Sequence, residues 1–518
     1  MKWSTLIHNG VCLPPPYEPR ELSITIRGRA LIPTPAQEEM AYAWAKKLGT
    51  SYAQDPVFIT NFLRDFGRLL PSEFQDLRIE EIDLSRIVQQ IERDKSLSKE
   101  EKKRLSAERQ VRRTGLKDRF GYAWVDGKRT EVANWMAEPP GLFIGRGNHP
   151  LRGRWKPRIT RQDIILNLGE DAPLPEGSWA DIVHDHDSTW LAKWVDKLTA
   201  DTKYVWLSEA SSLRRKRDKE KYDLAARLQD RIEAVRKLIL KGMRSRDERD
   251  RKTASVCFLI DKLAMRVGDE KDEDEADTVG ASTLRVEHVK IQDYQMHFDF
   301  LGKDSVRWQK TINLNRDDED EISLINFRQF IQGKAPGDLL FDGINSSAVN
   351  RFLSKGMKGL TAKVFRTYEA TTTVRQYLQR QRPLDGEGSL HLRLHHAKMA
   401  NLEAAIRCNH KRTPPKNWAE SLSKKEGILK RLLAGEAETP RQTERLKERI
   451  EKTQLSLDLT KATKDYNVGT SLRNYVDPRI YKSWADHVGL DWRLLYTKSL
   501  QKKFGWVGRV RLRWQPSG

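Results

Sequence analysis

Cysteine is almost missing from this chain. Cys12, Cys257 and Cys408 are the only three in 518 residues, and no two share a C-x-x-C spacing. That excludes a disulfide framework and a cysteine-built zinc site, and it fits a reducing, intracellular compartment. Apolar runs are short. Met1-Lys2-Trp3-Ser4-Thr5-Leu6-Ile7-His8 has no secretory apolar stretch, and nothing approaches the roughly 18 residues that suggest a membrane span. No G-x-x-x-x-G-K-[ST] occurs, so nucleotide chemistry through a P-loop is unsupported. The acidic run 270–277 matches a helicase box by its letters alone and reads as an exposed loop. His184, His186, His395 and His396 lack companion ligands at metal-binding spacing, so no metal is expected there.

Positive charge is abundant. Lys and Arg number 94 against 73 Asp and Glu, a net +21. An excess of that size points to a polyanionic partner, and nucleic acid fits better than an anionic membrane. The length suggests about three domains.

Phe58, Phe62 and Phe66 give helical spacing within 50–70, and 36–48 reads as a helix before it. Residues 80–113 form a highly charged, solvated helical stretch. Trp124-Val125-Asp126-Gly127-Lys128 is a hairpin signal. Residues 138–150 are a Gly/Pro-rich loop. A long basic helix is predicted over 214–252, with Leu224, Leu228, Ile232, Val235 and Ile239 on its apolar face. Tyr294, Met296, Phe298 and Phe300 alternate with polar residues, which predicts a hairpin with Lys303 at its tip. Helices follow over 361–380 and 392–408, the second ending before His410, where a helix C-terminus favours a charged imidazole. Two charged helices span 418–464, the second opened by Thr439-Pro440-Arg441-Gln442, a capping box with Pro at the first helical position.

The most informative segment is Ser471-Leu472-Arg473-Asn474-Tyr475-Val476-Asp477-Pro478-Arg479-Ile480. Tyrosine ionises only near pH 10, about the ordinary value, and guanidinium groups beside it favour the phenolate and can hold a phosphate. Cleaving a phosphodiester with a tyrosine needs arginines to clamp the non-bridging oxygens and an acid for the leaving 5′-oxygen, a role that suits lysine. The covalent intermediate conserves the energy of the ester bond, so resealing needs no ATP.

The chain resembles the eukaryotic-type type IB DNA topoisomerases along nearly its whole length. The resemblance rests on Lys2-Trp3, Pro15-Pro16-Tyr17-Glu18-Pro19, residues 138–150, Leu284-Arg285-Val286-Glu287-His288, the run 298–305 ending Gly302-Lys303-Asp304-Ser305, the run 360–368, Cys408-Asn409-His410 and Asn474-Tyr475-Val476-Asp477-Pro478-Arg479-Ile480. It implies that Tyr475 attacks phosphorus and becomes linked to the 3′ end. Arg285 and Arg366 would bind phosphate oxygens, His410 would donate a hydrogen bond to one, and Lys303 would protonate the 5′-oxygen. It also implies DNA contacts at Arg146, Asp304, Lys363 and Asn474. Arg146, Asp304 and Asn474 match the family's camptothecin contacts.

The implied fold is α+β and mostly helical: a two-lobed DNA clamp with a tyrosine-recombinase-like catalytic domain and a helical-hairpin linker. The implied division is a cap lobe over 1–212, a catalytic core over 213–412, the linker over 413–465 and a C-terminal domain over 466–518 carrying Tyr475. The expected partner is double-stranded DNA, held by a monomer, with neither ATP nor a divalent metal required and no membrane. Leu472 stands where the family signature has Lys. The linker looks shorter than in many animal members. The chain starts at the core without a charged N-terminal extension, which suggests a cell without a nucleus, with the nucleus as alternative. A tyrosine recombinase shares the Arg, Lys and Tyr chemistry but usually carries His-x-x-Arg where this chain has Lys363-Val364-Phe365-Arg366. A non-catalytic duplex-binding protein is the other alternative. The residues leave the base for Tyr475 open between water and a neighbouring Arg.

Overall fold

A computed structural model describes residues 2–74, 76–145, 147–269, 279–302, 306–315, 317–380, 389–510 and 514. The fold is α+β and mostly helical, with several small sheets. It divides into two compact units, one running to Arg214 and the other starting at Arg215.

The first unit holds two apolar cores. One is built by helices α1 (Pro35–Ala45), α2 (Pro56–Gly67) and α3 (Ser85–Ser96). Thr34 and Gln37 close a capping box on α1, with Pro35 at its first position. Phe58, Phe62 and Phe66 recur every four residues, and Trp44 stacks on Phe62 at 4.3 Å. The charged stretch 80–113 is not one helix. It begins as a 3-10 turn and a short strand (Ile82–Asp83). It then breaks between α3 and α4 (Lys99–Phe120), where the Ser98 hydroxyl accepts the Glu101 N–H and starts a new helix. Around the second core, strands Leu6–His8, Tyr122–Val125 and Lys128–Glu131 pair antiparallel. Asp126 and Gly127 make their turn in left-handed backbone at φ 49° and 72°. A four-stranded sheet completes this core.

The second unit begins with α5 (Ser212–Met243) and α6 (Glu248–Leu263). The predicted helix over 214–252 is therefore two. Asp247 caps α6 by accepting the Asp250 N–H, so the chain restarts there. An antiparallel sheet follows: Val289–Gln292, Gln295–Gly302 and Val306–Asn313. Met296, Phe298 and Phe300 face the core as the alternation requires. Tyr294 does not. It lies in the turn after left-handed Asp293 and is exposed. The hairpin tip at 303–305 and the acidic run 270–277 lie outside the described residues.

Then come α7 (Asp318–Ile331), α8 (Ser346–Gly356), α9 (Ala362–Arg380) and α10 (Leu390–Arg407). Helices α9 and α10 pack along each other. The helical pair α11 (Trp418–Leu433) and α12 (Pro440–Ala462) starts its second member with the Thr439–Gln442 capping box, and α12 also lies against α10. Short α13 (Val468–Asn474), α14 (Pro478–His487) and α15 (Lys498–Lys503) close the chain over a core that includes Trp484, Trp492 and Phe504. Among the described residues no helix is long and apolar enough to cross a membrane. All three cysteines are free and buried.

Candidate active site

Tyr475 is the C-cap of α13 and only 6% exposed. Its own N–H and that of Val476 both donate to the Ser471 carbonyl, at 2.9 and 3.0 Å. Thr371 on α9 fixes the next stretch: its hydroxyl donates to the Tyr475 carbonyl and accepts the Asp477 N–H. Asp477 then caps α14 ahead of Pro478. The nucleophile candidate therefore sits in a rigid corner between two short helices.

The phenol oxygen accepts hydrogen bonds from Arg366 Nη1 at 2.9 Å and from Arg266 Nη1 at 3.4 Å. Arg366 comes from α9 and is itself held at two helix ends. Its Nε donates to the Ala264 carbonyl at the end of α6, and its Nη2 to the Cys408 carbonyl at the end of α10. Those carbonyls lack helical partners and carry the negative ends of the helix dipoles, so a guanidinium is the natural cap.

His410 follows the same end of α10. Asn409 takes left-handed backbone at φ 51°, and the His410 N–H turns back to the Ala405 carbonyl at 2.8 Å. Here the expectation of a charged histidine fails. Burial first, then the neighbouring Arg366 and Arg266 charges, push His410 down to about 3. Desolvation and like charge outweigh the helix dipole, so the imidazole is neutral. Its Nδ1 lies 3.0 Å from Ser471 Oγ, while Nε2 is buried and has no hydrogen-bond partner among the described residues. Its ring stands 5.3 Å from that of Tyr475.

Beside these groups is a cavity of about 120 Å³. Arg266, Arg366, His410 and Lys411 form its polar wall, and Phe300 and Trp308 its apolar one. Two guanidiniums, an ammonium and an unpartnered imidazole nitrogen suit an anion with several oxygens.

Not every candidate converges here. Arg285 is half-buried at the cap of the turn Val286–His288, where its backbone N–H donates to His288 Nδ1. It is not among the described residues lining the cavity. Lys363 is exposed in the first turn of α9, one turn before Arg366. The Asn474 carbonyl accepts from Lys221 Nζ at 2.9 Å, and the Arg473 carbonyl from Lys503 Nζ at 3.0 Å. Burial pushes the Lys221 ammonium down to about 8; Asp218 opposes this, while Lys503 and Lys363 add to it. Lys303, Asp304 and Arg146 lie outside the described residues.

The arginine that follows Tyr475 in sequence is not on its hydroxyl. Arg479 forks onto Asp477 and reaches Asp223 at 2.6 Å. The second guanidinium is instead Arg266, which the sequence reading did not single out. It follows α6 through left-handed Ala264, and its stretch of irregular chain is fixed by Ala281 N–H and Ser282 N–H donating to the Arg266 and Val267 carbonyls. Gly280 packs so close to Gly268 that a Cβ there would sit 2.4 Å from its Cα. Leu472, which stands where the family signature has Lys, is partly buried against the C-terminal core.

Three family models tile the chain: the eukaryotic DNA topoisomerase I DNA binding fragment over residues 1–207, the catalytic core of the same enzyme over 210–443, and a C-terminal topoisomerase domain over 447–516. DNA topoisomerase 1 beta of Arabidopsis thaliana is 36% identical over 548 residues, covering 98% of this chain and 58% of the plant protein. DNA topoisomerase 1 of Homo sapiens is 34% identical over 552 residues, covering 98% and 71%. That of Caenorhabditis elegans is 34% identical over 549 residues, covering 98% and 67%. The chain thus spans a little over half the length of the plant relatives. It belongs to the eukaryotic DNA topoisomerase I family.

Proposed function

We propose that this chain is a type IB DNA topoisomerase, relaxing positive and negative supercoils without ATP or a divalent metal. Duplex DNA is its substrate, clamped by a monomer. One strand is cut, the free end rotates, and the same bond is remade.

The observation that carries this reading is the Tyr475 phenol oxygen, held by Arg366 at 2.9 Å beside a cavity that His410 also lines. A phosphodiester seated in that cavity meets positive charge before the reaction and more concentrated negative charge during it. Attack forms the Tyr475 O–P bond and breaks the P–O5′ bond; the phenol gives its proton to water and the 5′-oxygen takes one up. The pentavalent state gathers charge on oxygens that Arg366 and neutral His410 can bind, which lowers the barrier. Arg285 as a second clamp and Lys303 as the proton donor to the 5′-oxygen are roles that rest on family resemblance. So are the DNA contacts at Arg146, Asp304, Lys363 and Asn474, and sensitivity to camptothecin. Resealing is the reverse attack by the 5′-hydroxyl.

We place the protein on DNA inside the cell. The relatives compared are eukaryotic, so they lend no support to a cell without a nucleus.

The test is relaxation of an unrelated supercoiled plasmid with EDTA present and ATP absent. Denaturant then traps the adduct, and the DNA end carrying protein is determined. Relaxation with protein on the 3′ end is expected, and Tyr475→Phe should remove both while leaving duplex binding nearly unchanged. Cutting confined to one sequence would favour a recombinase. Protein on the 5′ end, or binding alone, would sink the reading.

A further inference from the structure

We propose that Ser471 is a positioning residue that fixes the tautomer of His410, so that the imidazole meets the phosphate as an Nε2–H donor. This rests on the function proposed above and deepens it.

The Ser471 side chain is fully buried. Among the described residues its hydroxyl has one hydrogen-bond partner, His410 Nδ1 at 3.0 Å. The imidazole stands among cations, with Arg366 and Arg266 beside it and, among the described residues, no carboxylate on either ring nitrogen. A neutral ring carries a single proton. If that proton were on Nδ1, it would donate to Ser471 Oγ. The serine proton would then be buried without an acceptor, and Nε2 would offer an anion only a lone pair. If the serine donates to Nδ1, both Ser471 and Nδ1 are satisfied. The ring proton is then on Nε2, the nitrogen without a partner among the described residues. Buried hydroxyl protons are costly to leave unpaired, so the second arrangement is favoured.

The chain couples this choice to the nucleophile. Ser471 and Tyr475 belong to the same short helix end, joined by the Tyr475 N–H to Ser471 carbonyl bond. The Asn467 N–H donates to the His410 carbonyl at 2.7 Å and registers that helix against the end of α10. Docking α13 therefore delivers the attacking oxygen and sets the imidazole in one step. A C-terminal segment not in place leaves both undone.

The decisive measurement is the tautomer itself. Full-length protein labelled with ¹⁵N-histidine is examined by long-range ¹H–¹⁵N correlation, with His410 assigned from the spectrum of H410Q. The parent is expected to show an acceptor-type Nδ1 and a protonated Nε2. A parent protonated on Nδ1, or an imidazolium at neutral pH, overturns the proposal whatever the activity does. Single-turnover cleavage of a nicked duplex adds the functional arm. Ser471→Ala should slow cleavage roughly 10- to 100-fold, as loss of an orienting partner does, with duplex affinity unchanged. Ser471→Thr should restore most of the rate. In an H410Q background Ser471→Ala should have little further effect; an equal loss in both backgrounds overturns the proposal. If Tyr475→Phe still forms adduct, the proposed function fails instead, and the tautomer result stands apart from it.

Discussion

Arg366 has each face of its guanidinium committed: Nε and Nη2 to two helix ends, Nη1 to the phenol oxygen. Arg266 is less constrained. It donates to the same oxygen from 3.4 Å, and its own burial, then the adjacent Arg366 charge, push its pKa below the usual range. A second charged donor on the oxygen proposed to attack phosphorus should help to stabilise the transition state. Arg266→Gln is therefore expected to slow single-turnover cleavage by roughly 10²–10³, the usual effect of losing one such donor. An unchanged cleavage rate would mean that Arg266 does not act on the phenol. Histidine makes a separate prediction about acid stability. His410 is pushed down to about 3 and His8, in the first unit, to about 4, each chiefly by burial. His8 Nδ1 accepts the Gly10 N–H and its Nε2 faces the Asn167 carbonyl, so a proton on Nδ1 breaks a bond. Their unfolded pKa is about 6.5. Between that value and the folded ones, the unfolded chain binds more protons than the native one, so stability rises with pH. Denaturation midpoints should hold above pH 6.5 and fall progressively as pH drops toward 4, and His8→Gln should flatten part of that fall.

Helix ends carry the site. The C-termini of α6 and α10 meet, and their free carbonyls are capped by three cations. Arg366 is one. Arg407 donates to the Lys262 and Asp261 carbonyls and forks onto Glu369, and Lys310 Nζ donates to the Arg407 carbonyl at 3.0 Å. Burial pushes Lys310 down to about 8, with Arg407 and Arg366 adding to it. Arg407→Leu removes two of these caps and strands the Glu369 carboxylate in a nearly buried place. A loss of about 3 kcal/mol is expected, measured as a lower urea midpoint, and cleavage should fall with it because Arg366 loses its frame. A midpoint unchanged from the parent would show that the helix ends do not need Arg407. These junctions also mark what the chain's letters reveal. The hairpin at Asp126-Gly127 was legible because both residues tolerate left-handed backbone, and the start of α12 because Thr439 and Gln442 cap each other locally. The breaks at 97–98 and 244–247 were not, since the charged helical pattern runs through them and only a buried neighbour or a local cap says where to stop. Arg266 was invisible for a different reason. Ala264 ends α6 in left-handed backbone without a glycine to announce it, and tertiary structure brings Arg266 to a tyrosine 209 positions away. The roles assigned to Arg285, Lys303 and His410 came from family resemblance rather than from spacing or composition.

At the scale of the whole chain the ruling quantity is its net charge of +21. Charge of that size cannot select one base sequence over another, because every duplex presents the same phosphates. On a duplex, charge of that size would release condensed counterions, so the proposed DNA affinity should depend on salt more than on sequence. If the protein neutralises roughly 6–10 phosphates, duplex affinity should drop about 10³–10⁵-fold between 50 and 200 mM monovalent salt, with log K linear in log salt. Two duplexes of equal length and shuffled sequence should give the same line within a few-fold. Tyr475→Phe should lie on it as well, since the lost hydroxyl carries no charge to the phosphates. Lys363→Ala, one exposed charge fewer, should reduce the slope by about one if that lysine touches a phosphate. Fluorescence anisotropy on a labelled duplex across a salt series separates the outcomes. A shallow slope would mean that the positive excess is not turned toward DNA. A steep slope for one sequence and a weak one for its shuffled partner would mean that base edges are read, which a topology enzyme acting anywhere on a genome does not require and a site-specific recombinase does.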